Sequence, residues 1–440
     1  MSNKEFKRVL NFRGVMLLMI GGIISTWLYL LPGVVGALAG PSSILAWFIG
    51  AVLMVCIGLC CAELASAFPK AGGLAVYPYE TLGRRKSIRS FFSCLAGVGV
   101  FLGNVFFVAI TAIMMTQYFC VLVSAAAPYA GIIGLSFVIL AYVINVEGIS
   151  ITANINRGML IMLIIILGVA IISFFTKMQP TNFRPFFLHG TRGFLACLPI
   201  AVTSFGAWVT VCCIAEEIKE PEKTIPKAIF ATIFSALVIQ IILTVAIYGV
   251  INPAEFVKGS PEMAAPLGYA AQKLGYKWLI WAIPISGLLA GFTSILVGML
   301  GASRALVALG RNEVFPKAFG FISKRGTPWV SLTFVAIVGA VFAYFPKSLF
   351  SIIVVGTLIG TALPFGINIV SFIGLRYFRK DVKPPFRAPG GYVLPVVAFI
   401  ALGIGCVGLG LIELKSSMVA LAILLGYFII RCITHPSILR

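Results

Sequence analysis

The chain has 440 residues, of which 60% are hydrophobic and only 10% charged, and its mean hydropathy is +1.07. No ordinary soluble domain carries that composition. The formal net charge of +20 would suit a nucleic-acid partner, but its distribution along the chain excludes one.

Apolar runs long enough to cross about 30 Å of hydrocarbon recur along the whole sequence. Twelve are legible, at about 14–38, 42–67, 90–123, 129–146, 157–176, 193–214, 228–251, 277–303, 329–345, 348–374, 392–412 and 417–434. The first follows Lys4, Lys7, Arg8 and Arg13 and runs on into further spans with no small-residue cleavage site, so it reads as a retained helix. With the N-terminus in the cytoplasm, about 25 of the 33 Lys and Arg fall on cytoplasmic segments. The basic excess therefore orients an all-α integral membrane protein, multi-pass in the cell membrane, with both termini cytoplasmic. Attraction to anionic lipid of the inner leaflet follows from it.

Span 1 is interrupted near its middle by Ile20-Gly21-Gly22-Ile23-Ile24-Ser25-Thr26-Trp27. Gly21 and Gly22 each lower helix propensity by about 1 kcal/mol relative to Ala, which eases unwinding. Unwinding frees carbonyls at Ile20, Gly21, Gly22 and Ile23, which suit an ammonium. It also aims the amides of Ser25, Thr26 and Trp27 into the gap, where they and the helix dipole suit a carboxylate. The structural alternative is a glycine face for tight helix packing.

After span 2, Lys70, Gly72, Gly73 and Tyr77 read as a tight re-entrant connection, since the phosphate-loop pattern GxxxxGK[ST] is absent. Glu63 at the end of that span suits a clasp with a base such as Arg304. Asn104 in span 3 is polar at membrane depth, and it either reaches the gap or bonds a neighbouring helix. Span 5 has no charged residue over 158–176. Span 6 is interrupted in turn by Thr203-Ser204-Phe205-Gly206-Ala207-Trp208. The two breaks open two blocks of five spans each, the pattern of transporters whose broken helices hold substrate at the membrane midplane between inverted repeats. Thr293 and Ser294 in span 8 carry hydroxyls that suit a hard cation or an ordinary helix contact.

The remaining chemistry narrows the reading. The 13 acidic residues fall at helix ends and in loops, and none lies at the depth of the first break. Most of the ten cysteines sit in apolar spans with no CxxC, and His189 and His435 are the only histidines, so no metal site or catalytic cluster is expected.

Several segments, in this order, carry a family resemblance: Ala62-Glu63-Leu64-Ala65, FPKAGGLAVYPYETLG (68–83), EEIKEPEKTIPKAI (216–229), GASRALVALGRNEVFPKAF (301–319), RGTPWVSL (325–332) and LRYFRKDVKPPFRAPGG (375–391). Across nearly the whole chain these resemble the amino acid–polyamine–organocation permeases. The resemblance implies twelve transmembrane helices in one domain, 1–440, with the LeuT-like five-plus-five inverted repeat. The first repeat covers about 14–176 and the second about 193–374. Helices 1 and 6 are unwound, and helices 11 and 12, about 392–434, are peripheral.

The resemblance further implies a permease or exchanger moving a small amino acid or related amine by alternating access. Ser25-Thr26-Trp27 stands where relatives carry G-S/T-G, so Trp27 replaces a glycine at the pocket edge and makes the pocket small or walls it. Relatives that handle cations place an acid at the Val209 position, and its absence favours a small neutral amino acid. A cationic amino acid or polyamine antiporter is the alternative, and a transporter-like sensor is the alternative of another class. Ser204, Phe205, Gly206, Ala207 and Trp208 would line the other side, with Trp208 as an aromatic wall and Tyr29 nearby. Where some relatives carry a titrating lysine in helix 5, this chain has Leu163. Coupling is then sodium at Thr293 and Ser294, or exchange with no driving ion. No cofactor is expected, and a homodimer is left open.

Overall fold

The computed structural model describes residues 5–83, 85–257, 259–345, 356 and 358–407. They are helical, with no strand among them beyond one bridge between Leu10 and Ile218. Eight helical stretches of the described residues are long and apolar enough to cross a membrane, and three shorter apolar helices accompany them.

Span 1 forms two helices, α1 (Phe12–Ile23) and α2 (Thr26–Ala39), on either side of Ile24 and Ser25. Span 2 is α3 (Ser43–Ala67), and the short α4 (Tyr77–Thr81) lies in the connection after it. Then come α5 (Lys86–Leu122), α6 (Ala130–Val146) and α7 (Ile149–Phe175). Span 6 again forms two helices, α8 (Gly190–Thr203) and α9 (Val209–Cys213). The chain continues through α10 (Pro221–Val250), the short α11 (Pro261–Ala264) and α12 (Pro266–Leu274), and α13 (Lys277–Arg311). It closes with α14 (Trp329–Tyr344), α15 (Leu363–Phe378) and α16 (Val393–Val407). Most of the first half of the expected tenth span, and the whole of the twelfth, lie outside the described residues.

Two large apolar clusters organise most of the packing, and α13 contributes to both. One apolar cluster joins α1, α2, α3, α8, α9, α10, α15 and α16 through residues such as Val15, Trp47, Ala201 and Ile229. Another joins α5, α6, α13 and α14 through Val108, Val138, Leu296 and Val335. The seam inside the second group shows how sequence sets the packing. Gly287, Gly291, Gly298 and Gly301 recur along one face of α13, and each meets α5 running the opposite way, at Tyr118, Met115, Val108 and Asn104. A methyl added at Gly291 would come 2.1 Å from Met115. Between helices in lipid, where no hydrophobic force drives association, such small residues let the backbones approach and gain dispersion contact.

The connection after α3 behaves as its glycines demand. Gly72 has φ +90° and Gly73 φ +40°, and a Cβ on either would strike α13 or α9. The Gly72 N–H donates to the Cys213 carbonyl at 2.8 Å, so this loop re-enters under the end of α9.

Candidate functional site

Both breaks expected from the sequence are present, and local chemistry explains each. At the first, the Ile24 N–H donates to the Ile20 carbonyl (3.0 Å) and the Ser25 N–H to the Ile23 carbonyl (2.8 Å). Ser25 is extended, with ψ 172°, and α2 restarts at Thr26. The first amides of α2, at Thr26 and Trp27, have no intrahelical acceptor. At the second break, Pro199 withholds one amide from α8. The Thr203 hydroxyl then donates to the Pro199 carbonyl (2.9 Å) and the Ser204 hydroxyl to that of Ala201 (2.8 Å). Side chains thus occupy carbonyls that further helical amides would use, and the helix stops. A tight turn at Gly206–Trp208 leads into α9, and α1 packs directly against that turn.

The carbonyls of the first break are already engaged once each. Gly21 accepts from the Thr293 hydroxyl at 2.8 Å and Gly22 from the Ser294 hydroxyl at 3.5 Å, both from α13. Those hydroxyls also reach the Ala290 carbonyl, at 2.9 and 2.8 Å. Each carbonyl retains a second lone pair. Thr293, Ser294 and the carbonyls of Gly21 and Ala290 therefore form a buried set of hard oxygens beside the break.

The glycines serve packing as well as unwinding. A Cβ on Gly21 would lie 2.6 Å from the Asn156 amide of α7, and one on Gly22 would lie 3.0 Å from Val297 of α13. Asn156 is the residue that sequence reasoning missed. It is fully buried, donates to the Leu17 carbonyl at 3.1 Å, and leaves its own Oδ1 unpartnered. The available signal was its place on the α7 face that continues through Leu160, Leu163 and Leu167. Leu163 itself is buried with Ile24 and Leu28 in an apolar cluster.

The aromatic residues take distinct places. Trp208 is fully buried and stacks on Phe365 of α15, centroids 5.3 Å apart and 9° between planes, with its Nε1–H unpartnered. Phe205 turns away from the turn, its ring edge-on to Trp47 of α3 at 6.3 Å. Tyr29 packs edge-on to Tyr118 of α5 at 6.0 Å. Trp27 is half-buried, between the core around α1 and the Phe106–Ile110 cluster of α5. Thr26 is fully buried, with its methyl beside Gly291 of α13. Gly206 and Ala207 are half-buried, and a Cβ built on Gly206 meets no atom within 4 Å. Asn104 donates to its own helix at the Val100 carbonyl (2.8 Å), and its Oδ1 lies where Gly301 of α13 and Thr210 of α9 converge.

No carboxylate of the described residues lies near either break. Those nearest in sequence sit together on the face that carries residues 5–11, here the N-terminal face. There the expected Glu63–Arg304 clasp is not formed. Glu63 instead receives Arg376 of α15 at 2.7 and 3.0 Å, together with the Ala388 amide. Arg304 forks onto Glu217 at 2.8 and 3.0 Å, both side chains almost wholly buried. Geometry decides the partners: α15 ends over α3, whereas Arg304 on α13 points at the turn that follows α9. Burial pushes the Glu217 carboxyl above the ordinary carboxylate range, against the pull of Arg304.

The comparisons with known proteins agree with this architecture. A sequence model described as amino acid permease matches residues 10–429. The chain is 27% identical to the branched-chain amino acid permease BcaP of Bacillus subtilis, over 97% of this chain and 93% of that protein. It is 27% identical to BcaP of Lactococcus lactis, over 91% and 89%. It is 26% identical to the glutamate/serine transporter AimA of Bacillus subtilis, over 90% and 76%. A multi-pass chain of apolar helices, matched to that model over nearly its whole length, belongs to the amino acid permease family and acts as an amino acid permease.

Proposed function

We propose that the protein moves neutral amino acids with small or branched aliphatic side chains across the cell membrane by alternating access, with its N-terminal face cytoplasmic. The observation that carries this reading is that two broken spans meet, α1 against the Gly206–Trp208 turn, with no carboxylate of the described residues bonded to either break. The amides of Thr26 and Trp27 offer donors to an α-carboxylate, and the second lone pairs of carbonyls in the break of span 1 offer acceptors to the ammonium. The open space at Gly206 admits a side chain, and in this proposal Trp27, half-buried at the first break, limits its size. A guanidinium or a second ammonium would enter the same space unpaired, at a cost of several kcal/mol.

The twelve-span inverted repeat is part of the proposal. It is supported by the way α3 packs on α8 and α10 while α5 packs on α13 and α6 on α14. The second, third and fourth helices of the first block thus meet their counterparts from the second, and the two broken helices meet each other. The hard-oxygen set at Gly21, Ala290, Thr293 and Ser294 fits a sodium ion, and exchange without an ion is the other coupling.

The test is counterflow in liposomes preloaded with unlabelled amino acids. Labelled alanine, serine, leucine, arginine and putrescine are offered with and without a sodium gradient. Accumulation of the neutral members is the expected result. Accumulation of arginine or putrescine alone contradicts the substrate assignment. Stimulation by sodium that is lost in Thr293→Val assigns the ion.

A further inference from the structure

We propose that Phe6 is a positioning residue for transport, holding shut a gate formed by Arg304 with Glu217 and Arg311 with Glu216 on the N-terminal face. Its ring lies 5.5 Å from the Arg304 guanidinium carbon and 5.6 Å from that of Arg311, so one aromatic ring serves two cations. Phe6 is only 7% exposed and packs with Ala71, Val307 and Ile322. It thereby touches the re-entrant loop, α13 and the connection after it.

The two ion pairs tie one helix group to the other. Arg304 and Arg311 belong to α13, while Glu216 and Glu217 follow α9. Arg311 donates to Glu216 Oε1 at 2.7 Å, and the same oxygen accepts the Ala71 amide at 3.1 Å. Any passage opening on this face between the α9 end and α13 must separate these partners.

The arm is fixed to the gate by backbone as well. The amides of Val9 and Leu10 donate to the Glu217 carbonyl at 3.0 Å each, and the Lys219 amide donates to the Leu10 carbonyl at 2.7 Å. One residue later Asn11 caps α1, accepting from the Gly14 amide at 2.9 Å. Helix α1 then runs unbroken to Ile23, at the first break. Arm and half-helix are thus one continuous unit, with the Phe6 ring at one end and the Gly21 and Gly22 carbonyls at the other. Water reaching the guanidinium groups would weaken both pairs, and the ring stands beside the buried Arg304 pair and the partly exposed Arg311 pair, limiting that access.

This inference rests on the alternating-access reading, and its test separates the two. Cys212 and Cys213, fully buried just before Glu216 and Glu217, are native reporters of opening. Proteoliposomes exposing the N-terminal face receive a membrane-impermeant maleimide, and labelling of each cysteine is read by peptide mass spectrometry. Phe6→Leu keeps apolar fill against Val307 and Ile322 and removes the ring, so it preserves folding. It is expected to raise the labelling rate roughly tenfold, the order set by loss of a desolvated cation–π contact. Phe6→Trp restores the ring and is expected to label like the wild type. In exchange assays Phe6→Leu should lower half-saturation on the N-terminal face and raise it on the opposite face, a split that simple loss of stability does not produce. Wild-type labelling in Phe6→Leu, or fast labelling in Phe6→Trp, overturns the role of the ring. Absence of amino acid counterflow in the wild type overturns the transport reading instead, whatever the labelling shows.

Discussion

At the residue scale, Gly21 joins helix packing to the break. A methyl there meets the Asn156 amide at 2.6 Å, and the same glycine presents the carbonyl that receives Thr293. Gly21→Ala should displace α1 from α7 at an overpacking cost of about 1–3 kcal/mol and reduce exchange severely. Asn156→Ala in the same chain removes the obstacle and should recover most of the exchange. Counterflow and thermal melting of both variants, compared at equal protein, check this. Val209 makes the second residue-scale prediction. It is half-buried, at the start of α9 beside Trp208. Val209→Glu should raise the ratio of arginine to leucine exchanged, and an unchanged ratio in a competition assay would contradict the selectivity argument.

The breaks were legible at this scale because their causes are local. Gly21, Gly22, Thr203 and Ser204 weaken or compete with the helix they stand in, so reading them needs no partner. For Asn156 the sequence offered its place on a helix face and not its role. A lone asparagine in an apolar helix reveals no role until the neighbouring Leu17 carbonyl is placed beside it. Phe205 and Trp208 could not be told apart by sequence, because which ring turns toward Trp47 and which toward Phe365 depends on the turn between them.

At the scale of elements, the ends of helices on the N-terminal face are joined by buried charge as well as by apolar contact. Removing one member of such a pair leaves the other uncompensated, at a cost of about 3–5 kcal/mol. Arg304→Ala should therefore lower the melting temperature strongly. Arg304→Met with Glu217→Leu should restore much of it while leaving the face easier to open to maleimide. The existence of a clasp at Glu63 could be read from an acid near a helix end, but its partner could not. Arg304 and Arg376 are equivalent by sequence, and only the crossing of α15 over α3 selects Arg376.

At the scale of the whole molecule, the two helix groups differ in what they contribute. The α5–α13 seam is packed through glycines at close range, which suits a rigid frame. The group around α1, α3, α8 and α10 contains both interrupted helices and ends in the ion pairs that bind it to α13. Composition and hydropathy made the membrane class and most spans plain, since burial in lipid leaves few sequence alternatives. The division into groups was beyond that reading, because it depends on which apolar faces meet.

The most direct measurement is inhibition of labelled leucine counterflow by leucinol, which lacks the carboxylate, and by 4-methylvalerate, which lacks the ammonium. If amides of the first break and the carbonyls around it hold the two ends of the substrate, neither compound competes, whereas valine and alanine do. Competition by either compound at the strength of leucine would contradict the assignment of the breaks as the binding site.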